Sequence, residues 1–337
     1  MRLSSLAVIS LLAFGAAVDA TAQATAGTLV ASNMTTGTAQ LIDASTGQSL
    51  GVFTTAVAPH EVAMSSDGRW AVIAEYGDRN GVGQSLLVLD VGRGAVARRI
   101  DIPALTRPHG IAFLPGDREL VVTSEVKGVI GIVDFASGAV TATIETGGQT
   151  SHMVTVTPDG RVAATTNLRS GSVSVFDLVT RTRRAVHPVG TAVEGVAITP
   201  DGREVWAGAN SAKQVIVVDA ETGKTTAIDG FGFAYRIAIT RDGRTAVVTD
   251  PGSEQVHLVD VAGRAIRASI PIAPVGGQPA SPQGVTLLPD GRTALVTLKG
   301  ANQAVLIDLA SARVVQTVAT QGGSDGIGFS PVRVTRP

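Results

Sequence analysis

Short apolar runs separated by turn residues repeat along almost the whole chain. In residues 150–178, a polar start precedes an apolar run, a Pro-Asp-Gly-Arg turn, a second run ending at Asn167 and a third ending at Asp177. Runs of this length, rich in Val and Thr and bounded by Gly, Pro, Asn and Asp, are typical of successive antiparallel strands. The pattern predicts an all-β fold.

Two kinds of turn punctuate the repeat. A Pro-Asp-Gly-Arg turn or a variant of it follows the first run of each unit, with a degenerate copy at 330–333. Pro fixes φ, Asp accepts hydrogen bonds from the turn backbone, and Gly adopts the left-handed conformation. Each third run ends in a capping aspartate. These aspartates are Asp43, Asp90, Asp134, Asp177, Asp219, Asp260 and Asp308. We interpret both turns as architecture, because chemistry rarely needs a residue in every repeat.

The spacing of the repeat predicts its architecture. His109 and Asp134 are 25 residues apart, and the same interval recurs in the four units that follow. Four short strands in about 40–50 residues are typical of a β-propeller blade. Six complete units lie between about residues 58 and 320, while 27–55 supplies three strands and 326–334 a fourth. We therefore predict one domain over residues 23–337, a seven-bladed β-propeller with four-stranded antiparallel blades. Its ring is closed by the N-terminal strands pairing with the C-terminal strand.

The N-terminus has the features of a secretory signal peptide over residues 1–22. Arg2 provides a positive start, residues 6–18 are apolar but short for a membrane span, and small residues precede a cleavage site near Ala22. A buried N-terminal helix is the alternative. We expect a periplasmic or secreted protein without a membrane anchor after cleavage.

Composition narrows the chemistry. The chain has 337 residues, 44% of them hydrophobic and 16% charged, with a net charge of -1 and no cysteine. Disulfides, thiolate nucleophiles and cysteine zinc sites are excluded. We expect no nucleic-acid partner, because the chain lacks the basic excess that a phosphate backbone attracts. We also expect a monomer, with a small-molecule or protein partner that the sequence does not specify.

Three phrases resemble a known family. PHGIA at 108–112, VTVTPDGRVAATTN at 154–167 and GSVSVFDLVT at 171–180 are similar to the YVTN-type repeat of secreted bacterial seven-bladed propellers. The resemblance spans the chain after the leader and implies the same fold. It does not select a function, because propellers of this type include binding proteins, lactonases, lyases and metal-dependent oxidases.

Candidate chemistry lies where the repeats differ from one another. The residue at the start of each inner strand should face the mouth of the central channel. These positions are His60, His109, His152, Glu194, Tyr235, Gln283 and Asp325. We expect the ends of the second strands to face the same mouth. The polar residues there are Asn33, Glu75, Ser124, Asn167 and Asp250. Insertions at 78–83 and 271–282 should rise over this face.

The mouth residues allow two functions. We expect a ligand-binding or protein-interaction scaffold that uses the polar mouth. The alternative is a lactonase-, lyase- or oxidase-like enzyme, in which a divalent transition metal is bound by His60, His109, His152 and Glu194. Without a metal, His109 or His152 could act as a general base beside Glu75. Inheritance from an ancestral blade that carried Pro-His-Gly would also explain the histidines without any function.

Overall fold

The computed structural model describes residues 25–79, 81–190 and 192–335. The expected signal peptide and its cleavage site near Ala22 lie outside these ranges. Within these ranges, all the named secondary-structure elements are β-strands. The described residues contain no helix that is long and apolar enough to cross a membrane.

Twenty-eight strands form seven four-stranded sheets, which we number as blades from the first complete one. The chain starts with β1 (Thr28–Asn33), β2 (Thr38–Asp43) and β3 (Ser49–Thr54). Blade 1 contains β4 (Pro59–Met64), β5 (Trp70–Asp78), β6 (Gly81–Asp90) and β7 (Ala95–Asp101). Blade 2 contains β8 (Pro108–Phe113), β9 (Glu119–Ser124), β10 (Val129–Asp134) and β11 (Val140–Glu145). Blade 3 contains β12 (Ser151–Val156), β13 (Val162–Asn167), β14 (Ser172–Asp177) and β15 (Thr182–Pro188).

The remaining blades follow the same order. Blade 4 contains β16 (Val193–Ile198), β17 (Glu204–Ala209), β18 (Gln214–Asp219) and β19 (Thr225–Ile228). Blade 5 contains β20 (Ile237–Ile239), β21 (Thr245–Asp250), β22 (Gln255–Asp260) and β23 (Ala265–Pro271). Blade 6 contains β24 (Pro282–Leu287), β25 (Thr293–Leu298), β26 (Gln303–Asp308) and β27 (Arg313–Ala319). The last strand is β28 (Ser324–Ser330).

Blade 7 is built from both ends of the chain. The final strand β28 pairs with β1 in antiparallel register, from Thr28 opposite Ser330 to Asn33 opposite Ser324. Each inner strand also contacts the inner strands of the two neighbouring blades, so the ring is closed. The predicted seven-bladed propeller and its closure are confirmed. The closing strand begins two residues earlier than expected, at Ser324 rather than at 326.

Glycine allows the inner strands to approach one another closely. The third position of the inner strand is glycine in four blades, at Gly110, Gly195, Gly284 and Gly326. A Cβ at Gly284 would overlap the carbonyl oxygen of Asp325 in the next blade, and one at Gly326 would overlap that of His60. At these positions the inner strands of neighbouring blades are too close for a side chain.

A repeated hydrogen bond, here called the inter-blade hydroxyl bond, links neighbouring blades at the same level. A Ser or Thr one residue before the end of the second strand donates to the carbonyl of the mouth residue in the next blade. The distances are 2.7 Å from Thr123 to His152, 2.6 Å from Thr166 to Glu194, 2.6 Å from Thr249 to Gln283 and 3.0 Å from Thr297 to Asp325. Ser32 makes the same contact with His60. Each of these bonds fixes the backbone from which a mouth side chain projects.

Adjacent threonines in β13 provide a matched test of this bond. Both are fully buried, but Thr166 Oγ1 donates to the Glu194 carbonyl, whereas Thr165 Oγ1 has no partner. We expect Thr166→Val to lower the free energy of unfolding by about 1–2 kcal/mol, because a buried carbonyl loses its donor. Thr165→Val should leave stability unchanged or raise it. Urea denaturation of the two variants gives the comparison, and equal losses would contradict it.

Candidate functional site

Three histidine side chains form a stacked row at the channel mouth, here called the histidine row. His60, His109 and His152 occupy the second position of the inner strands of blades 1, 2 and 3. Neighbouring ring centroids are 3.9 Å apart for His60 and His109 and 3.8 Å apart for His109 and His152. All three residues are at most 6% exposed. The rings stack because the three histidines occupy the same strand position in adjacent blades.

Glu125 determines the orientation of His152. Its Oε1 lies 2.6 Å from His152 Nδ1, and its Oε2 accepts a hydrogen bond of 2.7 Å from the Tyr76 hydroxyl. Burial opposes ionisation of Glu125, but the bonds from His152 and Tyr76 outweigh it and hold the carboxyl pKa below its ordinary value. An ionised carboxylate can only accept, so His152 carries its proton on Nδ1. The buried Nε2 makes no hydrogen bond.

Two carboxylates flank the other end of the row. Glu61 Oε1 is 3.3 Å from His60 Nδ1, and Asp325 Oδ2 is 3.8 Å from His60 Nε2. Lys299 Nζ donates to the same Asp325 oxygen over 2.8 Å. Burial opposes ionisation of Asp325, yet His60, Arg236 and Lys299 hold its pKa below the ordinary value. The His60 end therefore contains two carboxylates, each of which is paired with a cation.

Arg236 forms the floor of the site. It takes the position that is glycine in four blades, and its side chain reaches from blade 5 across the channel. Its Nη2 donates to Glu61 of blade 1 over 2.8 Å, and Nη1 lies 3.8 Å from Glu194 of blade 4. The guanidinium carbon is 4.3 Å from the centre of the Tyr235 ring. Burial opposes ionisation of Glu61 and Asp325, but the charge of Arg236 helps to hold the pKa of both carboxyl groups below the ordinary value.

His109 is the exceptional member of the row. It is fully buried, and neither ring nitrogen has a hydrogen-bond partner. Burial, together with repulsion from the adjacent His152 and His60, holds its pKa well below the ordinary value. Tyr76 packs edge-on against the ring at a centroid distance of 5.0 Å. A buried polar group without a partner costs about 1–3 kcal/mol, so the site is built around a neutral imidazole with free lone-pair capacity.

The structure brings the predicted inner-strand residues to one level. Glu194 Oε1 lies 3.7 Å from His152 Nε2, and Asp325 stands beside His60. The Gln283 amide donates to Ser281, and its buried Oε1 has no partner. Tyr235 precedes a shortened inner strand and packs against Arg236 instead of the histidines.

The predicted second-strand residues do not join this cluster. Their side chains hold the loop that enters their own blade. Glu75 accepts from the Ala56 amide, Ser124 donates to the Thr106 carbonyl, and Asp250 accepts from the Gly232 and Phe233 amides. Asn33 accepts from Ser324 and Asn167 from Ser151.

The expectation that Glu75 assists a catalytic histidine is not supported by its position. Its carboxylate pairs with Arg99 through contacts of 2.7 and 2.9 Å and accepts from the Ser85 hydroxyl. Strand side chains alternate between two faces, so the residue that follows each predicted position is the one that faces the mouth. Those residues include Tyr76, Glu125 and Lys299. Glu61 and Arg236, at the third inner-strand position, were also missed.

Two groups of side chains could hold a metal ion. Within the part of the chain that the structure describes, one ligand atom from each of His60, Glu61 and His109 lies within 4.8 Å of the others, and so does one from each of His109, Glu125 and His152. Glu194, a predicted ligand, belongs to neither group. In the second group, His152 and Glu125 are already hydrogen-bonded to each other. In the first group, Glu61 is hydrogen-bonded to Arg236, but His60 Nδ1 and both nitrogens of His109 have no hydrogen-bond partner.

A wide cleft lies elsewhere on the propeller. A cavity of about 850 Å³, lined by Arg184, Asp201 and Asp219, occurs between blades 3 and 4 on the opposite face. Its aspartates belong to the repeated turns, and Asp201 and Asp219 accept hydrogen bonds from turn backbone amides. It contains no histidine. We therefore place the candidate site at the histidine row.

Comparison with known proteins supports the fold and not a function. No family model matches the chain, and no curated protein does. Among solved structures, it is similar to Kuenenia stuttgartiensis hydrazine synthase, with a TM-score of 0.68 and 17% identity over 79% of this chain and 87% of that one. A functionally unknown protein from Desulfotomaculum acetoxidans has a TM-score of 0.72 and 14% identity, covering 90% and 99% respectively. At these identities the similarity shows the propeller architecture alone.

Glu75 provides a test of this placement. Glu75→Gln should lower the free energy of unfolding by about 2–3 kcal/mol, because charge-assisted bonds to Arg99 are lost. It should leave metal binding at the histidine row unchanged. Chemical denaturation and metal titration of the same sample check both effects. Loss of metal binding in folded Glu75→Gln protein would contradict the assignment.

Proposed function

We propose that the channel mouth is a divalent transition-metal site with an adjacent histidine base, and that the propeller acts there on a small molecule. The proposal rests on a difference in hydrogen bonding between two members of the histidine row. His109 is neutral and unpartnered, whereas His152 is held by a carboxylate. This arrangement favours the enzyme alternative over a scaffold without catalysis.

The metal is assigned to His60, Glu61 and His109. Imidazole and carboxylate ligands suit Zn²⁺ and other first-row divalent ions, and neutral imidazoles bind a metal without having to release a proton. Arg236 donates to Glu61 Oε1, as an outer partner does when it orients a ligating carboxylate. Three protein ligands would leave a coordination position for water or substrate. The ion would polarise a bound carbonyl or activate a water molecule.

His152 is assigned the role of general base. A base must present a free nitrogen toward the reacting group and be oriented through its other nitrogen. His152 meets both conditions, with Glu125 on Nδ1 and an unpartnered Nε2. Its ring stacks on His109 at 3.8 Å, so the base stands beside the assigned metal ligand. Hydrolytic opening of a lactone or a β-elimination requires this pairing of an electrophilic centre with a base.

Metal content tests the first half of the proposal. Untagged protein incubated with Zn²⁺ and desalted should retain one ion per chain by elemental analysis. His109→Ala should retain almost none, because it removes the ligand that both candidate groups share. His187→Ala is the matched control, since His187 lies on the outer strand of blade 3. Zinc retention by folded His109→Ala protein, or its loss in His187→Ala, would refute the assignment.

A substrate panel tests the second half. Zinc-loaded protein should open members of a panel of small lactones and esters, followed by release of acid. His152→Gln should reduce kcat by about 10²–10⁴-fold, the range contributed by a positioned base. Zinc content should stay at one ion per chain in this variant. A kcat unchanged in His152→Gln would rule out the role assigned to it.

A further inference from the structure

Buried polar atoms without a hydrogen-bond partner concentrate at the channel mouth. Within the part of the chain that the structure describes there are thirteen such side-chain atoms, and nine of them belong to residues of the mouth. The four others are hydroxyl oxygens of Ser or Thr. The proposed metal site and base account for the atoms of the histidine row. The remaining atoms belong to Glu194, Arg236, Gln283 and Asp325.

Arg236 supplies the donors of this second group. Its side chain is 4% exposed, and its Nη2 donates to Glu61 across the channel over 2.8 Å. Nε and Nη1 have no partner. A guanidinium carries five N–H groups and accepts no hydrogen bond, so these two nitrogens can only donate. Because an unsatisfied buried donor is unfavourable, an oxygen atom that accepts from Nε or Nη1 would stabilise the site.

Acceptors face Arg236 from the neighbouring blades. Glu194 Oε2 of blade 4 lies 3.8 Å from Nη1, and Asp325 Oδ1 of blade 7 lies 3.9 Å from Nη2. Neither oxygen has a hydrogen-bond partner, and neither does Gln283 Oε1 of blade 6. Separations of this size are too long for a direct hydrogen bond, but an oxygen atom about 2.8 Å from both atoms can bridge them from one side.

The mixture of donors and acceptors selects the chemistry of the ligand. A hydroxyl group can accept from Arg236 and donate to Glu194 at the same time. A carboxylate only accepts, so it would leave the oxygens of Glu194, Gln283 and Asp325 without a donor. An ammonium group only donates, so it would leave Arg236 unpaired. Because a hydroxyl group both donates and accepts, this selection does not depend on which of the facing atoms carries a proton.

Glu194 connects this group to the solvent and to the proposed base. Its side chain is 17% exposed, and Gln283 is also partly exposed, so a molecule can reach both from the mouth. The second oxygen of Glu194, Oε1, lies 3.7 Å from His152 Nε2. A molecule held by Glu194 and Arg236 therefore lies next to His152.

We propose that Glu194, Arg236 and Gln283 form a hydroxyl site, which binds neighbouring hydroxyl groups of a small polyhydroxylated substrate. The inference rests on the proposed function and adds the substrate class to it. Two unpartnered nitrogens of Arg236 and the oxygens of Glu194 and Gln283 require more than one hydroxyl group. A substrate without hydroxyl groups would leave these atoms buried and unpaired, and a site built for hydroxyl groups discriminates strongly against such an analogue.

Two small alcohols test the hydroxyl site in the absence of a metal. Saturation-transfer NMR of metal-free protein should show saturable binding of erythritol, which carries a hydroxyl group on every carbon. Butane-1,4-diol has the same carbon chain without the inner hydroxyl groups, and it should bind about tenfold more weakly because buried donors and acceptors stay unpaired. Sodium acetate should also bind more weakly than erythritol. No saturable binding of erythritol, equal affinity for the two alcohols, or tighter binding of acetate would overturn the inference.

Variants of the acceptors assign the site. Glu194→Leu and Gln283→Leu should each weaken erythritol binding about tenfold, because a bound hydroxyl group loses its partner, and should leave the affinity for butane-1,4-diol unchanged. Gln149→Leu is the matched control, because Gln149 is exposed on the same face and forms hydrogen bonds only through its backbone. Unaltered erythritol affinity in both acceptor variants, or equal weakening in the control, would contradict the assignment.

Zinc retention by the wild-type protein separates this result from the proposed metal site. Protein that retains zinc but does not bind erythritol would overturn the hydroxyl site alone. Protein that binds erythritol but retains no zinc would keep the hydroxyl site and refute the metal site.

Discussion

The inter-blade hydroxyl bond is the contact on which the geometry of the mouth depends. A single Ser or Thr in one blade holds the carbonyl of the mouth residue in the next, and it does so in five blades. Blades 1 and 4 have Ala74 and Gly208 at this position and lack the bond. Because the backbone is fixed from the neighbouring blade, the mouth side chains share one level. His109, which faces the blade with Ala74, stays in register through the stacking of His60 and His152 on either side.

The propeller scaffold holds a buried polar side chain that makes no hydrogen bonds. The fully buried His109 imidazole, which makes no hydrogen bonds, is retained close to Glu61, whose carboxyl pKa is held low by Arg236 against the opposing effect of burial. Glu125 is hydrogen-bonded to His152 Nδ1, whereas His60 Nδ1 lies 3.3 Å from Glu61 without a hydrogen bond and neither nitrogen of His109 has a partner. His152 is thus oriented by a carboxylate, and His60 and His109 keep lone-pair capacity. Metal binding and proton transfer are the two kinds of chemistry that such a division supports.

The fold could be predicted from the sequence because turn residues and strand runs recur at regular intervals along the chain. Turn residues and strand runs predicted seven blades and the closure through β1 and β28, and the inner-strand positions were identified by equal spacing. Three features escaped this reasoning. Glu75 and its equivalents were assigned to the mouth, although alternation places the following residues, Tyr76 and Glu125, on that face. Arg236 reaches across the ring to Glu61, 175 residues away, and no local pattern encodes that contact. The pairing of His152 with Glu125 likewise joins neighbouring blades.

The central claim is that His60, Glu61 and His109 hold a metal ion while His152 does not. Anomalous diffraction from crystals of Co²⁺-loaded protein, recorded on both sides of the cobalt absorption edge, tests it most directly. The account predicts one strong anomalous peak within about 2.3 Å of a nitrogen of His60, a nitrogen of His109 and an oxygen of Glu61. Glu125 should remain hydrogen-bonded to His152 Nδ1. A peak between His152 and Glu125, or none at the channel mouth, would contradict the account.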